Sequence, residues 1–193
     1  MAEKITLSID GQTVSAEPGQ TVLAAARSIG VEIPALCHHE QLVPYGGCRL
    51  CLVELTQGNR SQLVASCGYV VKEGLQVSSG SPRVLRARKL VLEVLLALMP
   101  YSDEIRRLAR ENGVEASRFK REWHYCVLCG LCVRYCEEVK GANCVGFVGR
   151  GVNRDVAWTP LSGYHQTCEK CLECMDLCPT GVFPSNLGLA EVK

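Results

Sequence analysis

Cysteines carry most of the chemistry available to this sequence of 193 residues, which contains 13 of them. Eight form two runs of identical spacing, each with three cysteines separated by two residues and a fourth after three more. The runs are Cys126, Cys129, Cys132 and Cys136, then Cys168, Cys171, Cys174 and Cys178. Three thiolates so spaced let a tight loop wrap one corner of a cubane, with its backbone N–H groups directed at the sulfurs. The spacing predicts two [4Fe–4S] clusters.

The repeated run, followed by Pro179, resembles that of bacterial two-cluster ferredoxins, in which the fourth cysteine of each run binds the other cluster. The resemblance implies two crossed ligand sets. They are Cys126, Cys129, Cys132 and Cys178 for one [4Fe–4S] cluster, and Cys136, Cys168, Cys171 and Cys174 for the other. Zinc is the alternative, since it also favours Cys-x2-Cys pairs. It needs only two such pairs, and two complete runs of four fit it poorly.

Four more cysteines lie in the N-terminal part, with ten, two and fifteen residues between neighbours. They are Cys37, Cys48, Cys51 and Cys67. Four cysteines in one small module suit a [2Fe–2S] cluster, in which each iron takes two thiolates. Gly46 and Gly47 precede Cys48, where the lack of side chains would let backbone amides approach the cluster.

Twelve of the 13 cysteines are then accounted for, and Cys144 is predicted to be a small buried apolar residue. The four histidines are expected on the surface or beside a cluster rather than as ligands, because enough cysteines are present. They are His38, His39, His124 and His165. Neither a catalytic Ser–His–Asp or Cys–His arrangement nor a Gly-x-Gly-x-x-Gly dinucleotide motif can be assigned. We therefore predict no catalytic residues.

Several secondary-structure elements must position these cysteines. Residues 4–9 and 12–16 alternate like two strands joined by a tight turn at Asp10-Gly11. A helix capped by Thr21 and ending at Gly30 should follow, and a hairpin is expected between Cys51 and Cys67. Strand, strand, helix and further strands are typical of the opening of a β-grasp.

Ser81-Pro82 should begin a helix over 84–99, and Ser102 to Asn112 a shorter one. The first is apolar over so much of its circumference that we expect it to be buried between modules or against another subunit. Its basic start is interpreted as an ordinary solvated face, formed by Arg83, Arg86, Arg88 and Lys89.

The predicted fold class is α+β: a β-grasp [2Fe–2S] ferredoxin-like module over 1–80, a helical linker over 81–120, and a bacterial 2[4Fe–4S] ferredoxin-like module over 121–193. A net charge of +1 gives no indication of a nucleic-acid partner. No apolar run reaches the roughly 18 residues of a membrane span, and the N-terminus lacks the core of a signal peptide. An odd cysteine count in metal-ligand spacings opposes a disulfide scaffold, so we expect a cytoplasmic protein.

The stretch PALCHHEQLVPYGGCRLCLVEL resembles the N-terminal [2Fe–2S] module of the large iron–sulfur subunit of respiratory complex I. It is also similar to modules of [FeFe]-hydrogenases, NAD-dependent formate dehydrogenases and the diaphorase iron–sulfur subunit of NAD-linked [NiFe]-hydrogenases, including electron-bifurcating ones. Many members carry a further [4Fe–4S] cluster on one histidine and three cysteines in the region corresponding to 81–120. This sequence has neither residue type there, so that cluster is predicted to be absent.

The resemblance implies an electron-transfer subunit with one [2Fe–2S] and two [4Fe–4S] clusters, whose catalytic steps lie in other chains of a hetero-oligomer. The expected partners are a flavoprotein subunit that oxidises NADH and a hydrogenase catalytic subunit. Two alternatives stay open: the equivalent subunit of an NAD-linked formate dehydrogenase, and a free-standing multi-cluster ferredoxin carrier.

Overall fold

The computed structural model of the chain describes residues 3–121, 126–158, 171 and 173–181. It begins with strands β1 (Ile5–Ile9) and β2 (Gln12–Ala16), which pair antiparallel in the predicted hairpin. Asp10 and Gly11 form the turn at φ 48° and 83°. Both angles lie in the left-handed region that a two-residue turn of this hand requires.

Five strands form one mixed sheet in the order β2-β1-β5-β3-β4. Strands β3 (Leu52–Gln57) and β4 (Arg60–Ala65) make the predicted hairpin between Cys51 and Cys67. Strand β5 (Gln76–Ser78) pairs parallel with β1 and antiparallel with β3. Sequence reasoning missed β5, because three residues are too few to display an alternating pattern.

Helix α1 (Val22–Ser28) contributes apolar side chains to the buried core of this N-terminal module. The Thr21 side chain caps it by accepting a hydrogen bond from the Ala24 N–H, as predicted. The apolar side chains of α1 are buried with those of the sheet, and Cys51 and Cys67 belong to the same core. The hairpin β3–β4 therefore places two of the cysteines at its base inside a packed apolar interior.

Helices α2 (Pro82–Leu98) and α3 (Asp103–Glu111) follow close to their predicted ranges, and each is capped by the serine before it. They pack against each other around Leu92, Leu95 and Ile105. Within the chain, α2 buries one face, and three of its other apolar side chains are 41–44% exposed: Leu85, Leu90 and Val94. Burial of α2 against another subunit stays a prediction. The prediction that the basic residues at the start of α2 face solvent was wrong for Arg88, which is only 6% exposed.

The C-terminal part is built from short pieces. Helix α4 (Leu131–Arg134) continues into a π-helical turn (Tyr135–Val139), and α5 (Glu173–Asp176) carries part of the second cysteine run. Between them, β6 (Val145–Val148) and β7 (Asp155–Trp158) form a hairpin not predicted from the sequence, with a 3-10 turn at Gly151–Asn153. The chain is α+β, as predicted.

Within the described ranges, no helix combines the length and apolar character needed to cross a bilayer. Cys168, His124 and His165 lie outside those ranges, so the predictions made for these three residues cannot be placed on the fold.

Candidate metal centres

The four N-terminal cysteines converge in two pairs. The thiol of Cys37 is hydrogen-bonded to that of Cys48, and the thiol of Cys51 to that of Cys67. The two pairs are close enough for the charge of Cys48 to act on Cys51. Cys37, Cys51 and Cys67 are at most 1% exposed. The structure thus brings together all four residues that were predicted to bind a [2Fe–2S] cluster.

Each pair is held by a different part of the fold. Cys51 precedes β3 and Cys67 follows β4, so the hairpin itself places them side by side. Ser66 secures that pair, because its N–H and its hydroxyl both donate to the Cys51 carbonyl, at 3.0 and 2.8 Å. Cys37 and Cys48 lie in the long loop between α1 and β3, where the Cys48 N–H donates to the Cys37 Sγ at 3.4 Å.

Protonation differs within each pair. The hydrogen bond from Cys37 lowers the pKa of Cys48 to about 6, and the one from Cys67 does the same to Cys51. The same bonds, together with burial, raise the pKa values of Cys37 and Cys67. Within each pair, ionisation of one thiol therefore opposes ionisation of the other. Four thiolates require a positive metal centre, and two pairs suit two irons that each take two thiolates.

Among the described residues, no group of three or more His, Cys, Asp or Glu side chains is placed to hold a single metal ion.

Gly47 was predicted to allow backbone amides close to the cluster, and the structure shows a further reason for its lack of a side chain. A Cβ there would overlap the ring of Tyr45. The Tyr45 ring in turn lies 5.3 Å from the guanidinium of Arg134. Gly47 thus makes room for an aromatic contact with the C-terminal part of the chain.

The first ferredoxin-like run is also partly buried, and three of its thiols have pKa values that are raised by burial. Burial raises the pKa values of Cys126, Cys129 and Cys132, that of Cys129 to about 12. The charge of Cys178 also acts on Cys126 and Cys129, which places this cysteine of the second run beside the first run. The charge of Cys174 acts on Cys132.

Backbone amides reach the sulfurs of this region as well. Leu128, in the left-handed region at φ 52°, donates its N–H to the Cys126 Sγ at 3.3 Å. Amide–sulfur bonds of this kind stabilise the thiolate form and orient it. Leu128 is neither glycine nor asparagine, so its conformation is strained and is held by the surrounding loop.

Cys144 is 3% exposed, which confirms its predicted burial. Sequence reasoning missed its backbone contact: the Cys144 N–H donates to the Cys136 Sγ at 3.0 Å. Cys136 itself is buried on the π-helical turn. The only sequence signal for this contact was the short distance of eight residues between the two cysteines.

The two described histidines flank the N-terminal centre. His39 Nδ1 accepts the Gln41 N–H at 3.3 Å, and its ring meets Tyr135 edge-on, with centroids 6.0 Å apart. Burial lowers the pKa of His38. That neither histidine is a cluster ligand stays a prediction.

The two centres meet directly. Cys37 and Cys129 belong to one buried apolar cluster, together with Leu42 and Leu131. Arg134, on the helical segment between Cys132 and Cys136, donates to the Cys37 carbonyl at 3.3 Å and to the Val43 carbonyl.

The same arginine forms an ion pair with Glu138 at 3.3 Å. The Glu138 carboxylate also accepts the Val43 N–H at 2.7 Å. This network, in which the Arg134 side chain is buried and Glu138 is exposed, joins the loop of the first centre to the helix of the second.

Two family models match the chain. Residues 2–82 match the 2Fe-2S iron-sulfur cluster binding domain, and residues 117–184 match the ferredoxin-like domain of NADH-quinone oxidoreductase subunit 3.

Among curated proteins, the chain is 35% identical over 208 residues to a subunit of the NADH-quinone oxidoreductase of Rhizobium meliloti (strain 1021), covering 94% of this chain and 24% of that protein. It is 34% identical over 210 residues to the NADH-ubiquinone oxidoreductase 75 kDa subunit of Reclinomonas americana, covering 94% and 29%. The chain thus spans 24% and 29% of the lengths of these two relatives.

Among solved structures, the chain is similar to one chain of the NAD+-reducing [NiFe]-hydrogenase, crystallised in the H2-reduced state. The TM-score is 0.73 at 30% sequence identity, and the match covers 94% of this chain and 81% of that chain.

Proposed function

The chain belongs to the family of iron–sulfur electron-transfer subunits related to those of complex I and of NAD+-reducing hydrogenase, and from this premise we propose that it relays electrons through three clusters. One [2Fe–2S] cluster is held by Cys37, Cys48, Cys51 and Cys67. One [4Fe–4S] cluster is held by Cys126, Cys129, Cys132 and Cys178, and the other by Cys136, Cys168, Cys171 and Cys174. Each cluster, when bound, accepts and releases one electron at a time.

The observation that carries this proposal is the shared apolar cluster of Cys37 and Cys129. Each residue is a ligand of a different proposed centre, so the protein itself holds the two centres next to each other. Because the intervening side chains are buried and apolar, they exclude water from the path between the centres. Such a matrix, with its hydrogen bonds to sulfur, also tunes the reduction potentials.

The crossed ligand sets are supported by the position of Cys178. Its charge acts on Cys126 and Cys129, as expected for the fourth ligand of their cluster. Support for the other set is indirect. Glu173, next to Cys174 on α5, accepts the Tyr135 hydroxyl at 2.8 Å and pairs with Lys140, so α5 lies against the turn that carries Cys136.

The parallel pairing of β1 with β5, with α1 packed on the sheet, supports a β-grasp as the N-terminal module. The matched ranges 2–82 and 117–184 support the proposed division into 1–80, 81–120 and 121–193. The linker helices contain neither histidine nor cysteine, so we propose that they hold no cluster of their own.

We propose a flavoprotein that oxidises NADH as one partner and a hydrogenase catalytic subunit as the other. The support is the similarity to a chain of the NAD+-reducing [NiFe]-hydrogenase.

The proposed location is the cytoplasm. The described cysteines form no disulfides, and thiols that must stay available for iron suit this reducing compartment.

Anaerobic expression of the full chain tests the relay. We expect about ten iron atoms per chain, with matching sulfide, from one [2Fe–2S] and two [4Fe–4S] clusters. Low-temperature EPR of the reduced protein should resolve the [2Fe–2S] signal from the cubane signals. Stoichiometric zinc in place of iron would contradict the proposal.

Co-expression with the proteins encoded beside this chain tests the partners. A hydrogenase subunit that co-purifies with the chain and a flavoprotein supports the assignment, whereas a molybdenum-dependent formate dehydrogenase would replace it. A stable monomer that exchanges electrons with several unrelated enzymes would instead indicate a diffusible ferredoxin.

A further inference from the structure

Among the described residues, two arginines are buried, Arg88 at 6% exposure and Arg134 at 8%. Both guanidinium groups donate to backbone carbonyls beside proposed ligands of the [2Fe–2S] centre. Arg134, on the side of Cys37, has Glu138 as its counterion. Arg88 differs from Arg134, because it forms no ion pair with any residue that the structure describes.

The contacts of Arg88 are all neutral. Its Nη2 donates to the carbonyls of Leu52 and Ser79, both at 3.1 Å. Its Nε is buried and has no hydrogen-bond partner among the described residues. Leu52 follows the ligand Cys51 directly, so this guanidinium lies at the edge of the Cys51–Cys67 pair.

A buried charge with no opposite charge nearby is strongly destabilising, and arginine cannot escape the penalty by losing its proton. The free chain offers Arg88 only the Cys51 thiolate, whose charge opposes the lowering of the arginine pKa by burial. A [2Fe–2S] cluster with four thiolate ligands is a compact anion. It would supply the missing countercharge at this position.

We propose that Arg88 is the counterion of the [2Fe–2S] centre and raises its reduction potential. This inference rests on the proposed binding of the cluster by Cys37, Cys48, Cys51 and Cys67. A cluster bound by these four cysteines would become one unit more negative when an external reductant supplied one electron. Arg88 keeps its charge throughout, so no proton accompanies the electron at this residue. The fixed positive charge stabilises the reduced form more than the oxidised form.

Three variants of the full chain test the proposal by redox titration with dithionite, monitored through the [2Fe–2S] EPR signal. Arg88→Gln removes the charge but keeps an N–H donor for the two carbonyls. Arg88→Lys keeps the charge. Arg86→Gln is the matched control, because it removes an arginine from an exposed position of the same helix.

In Arg88→Gln we expect the ratio of reduced to oxidised cluster at a fixed potential to fall about tenfold, which is about 59 mV for one electron. Arg88→Lys and Arg86→Gln should change that ratio less than about threefold. A glutamine variant that assembles the cluster with an unchanged potential would overturn the proposal.

If Arg88→Gln does not assemble the cluster, the lysine variant decides. A potential close to that of the wild type supports the proposal, and a fall of tenfold or more in the reduced fraction overturns it. Absence of a [2Fe–2S] signal in the wild-type chain is a separate result, since it would contradict the proposed function rather than the role of Arg88.

Discussion

The N-terminal centre and the ferredoxin-like region solve the same problem, the burial of several thiols, in different ways. In the first, thiol–thiol hydrogen bonds divide four cysteines into pairs with one low pKa each. In the second, burial raises the pKa values of Cys126, Cys129 and Cys132 together. The pKa values of Cys48 and Cys51 are therefore lowered before metal binds, whereas iron would have to displace protons from Cys126, Cys129 and Cys132.

The two regions also differ in the stability of the segments that carry their cysteines. The N-terminal pairs lie on a hairpin and loop that belong to a packed sheet core. The ferredoxin-like cysteines lie on α4, a π-helical turn and α5, and segments of four or five residues do not form stable helices by themselves. Contacts from outside hold them, including the bond from the Ser102 hydroxyl to the Pro179 carbonyl at 3.3 Å.

Loss of an N-terminal ligand should abolish the [2Fe–2S] centre completely, and the effect should stay local. Cys51→Ser removes one thiolate from the hairpin pair, so we expect the chain to lose about two iron atoms and the [2Fe–2S] EPR signal. The cubane signals should persist. Cys144→Ser is the control and should keep the full iron content, and loss of all iron in Cys51→Ser would show that the two regions do not assemble independently.

Loss of a ligand that binds the cluster of the other run should affect that cluster and leave the nearer one in place. Cys136→Ser should damage the cluster built on Cys168, Cys171 and Cys174, although Cys136 belongs to the first run. Iron analysis should show a loss of up to about four atoms, and EPR should retain the cluster of Cys126, Cys129 and Cys132. Selective loss of that nearer cluster would contradict the crossed assignment.

Proton titration should separate the two regions in the iron-free chain. Cys48 and Cys51 have pKa values of about 6, below the value near 8.5 of an unfolded chain. The stability they contribute is present above the unfolded value and is lost as the pH falls through about 6. Cys129, with a pKa of about 12, contributes stability below the unfolded value that is lost as the pH rises through about 12.

Thiolate absorption in the ultraviolet measures this difference directly. We expect two thiols to ionise near pH 6, and Cys48→Ser should remove one of these early ionisations. A single transition near pH 8.5 for all thiols would show that the two centres do not differ before iron binds.

The smallest effect is expected when the contacts of Arg134 that join the two regions are removed. Arg134→Gln leaves the Glu138 carboxylate and the Cys37 and Val43 carbonyls without their charged donor. We expect the free energy of unfolding to fall by about 2–3 kcal/mol, measured by urea denaturation of the iron-free chain.

Arg107→Gln is the matched control for that link. Arg107 forms two exposed ion pairs within α3, with Glu104 and Glu111. Its loss should cost no more than about 1 kcal/mol. Equal effects of the two substitutions would show that the network of Arg134 does not join the modules energetically.

Much of the chain was predictable because its signals are local. The Asp10-Gly11 turn, the caps at Thr21 and Ser81 and the hairpin after Cys51 depend on a few neighbouring residues, and the structure confirms them. The spacing of the cysteines likewise determines which of them can share a loop. The ligand sets follow from that spacing and from family resemblance, and they stay predictions.

Other features depend on contacts between residues far apart in sequence, and only the tertiary structure decided them. The three-residue strand β5 forms because it pairs with β1 on one side and with β3 on the other. The solvated face predicted for the start of α2 failed at Arg88, because packing against β3 encloses a side chain that local sequence marks as exposed. The meeting of Cys37 with Cys129 is of the same kind. Spacing describes each cysteine loop by itself, but long-range packing alone determines which loops become neighbours.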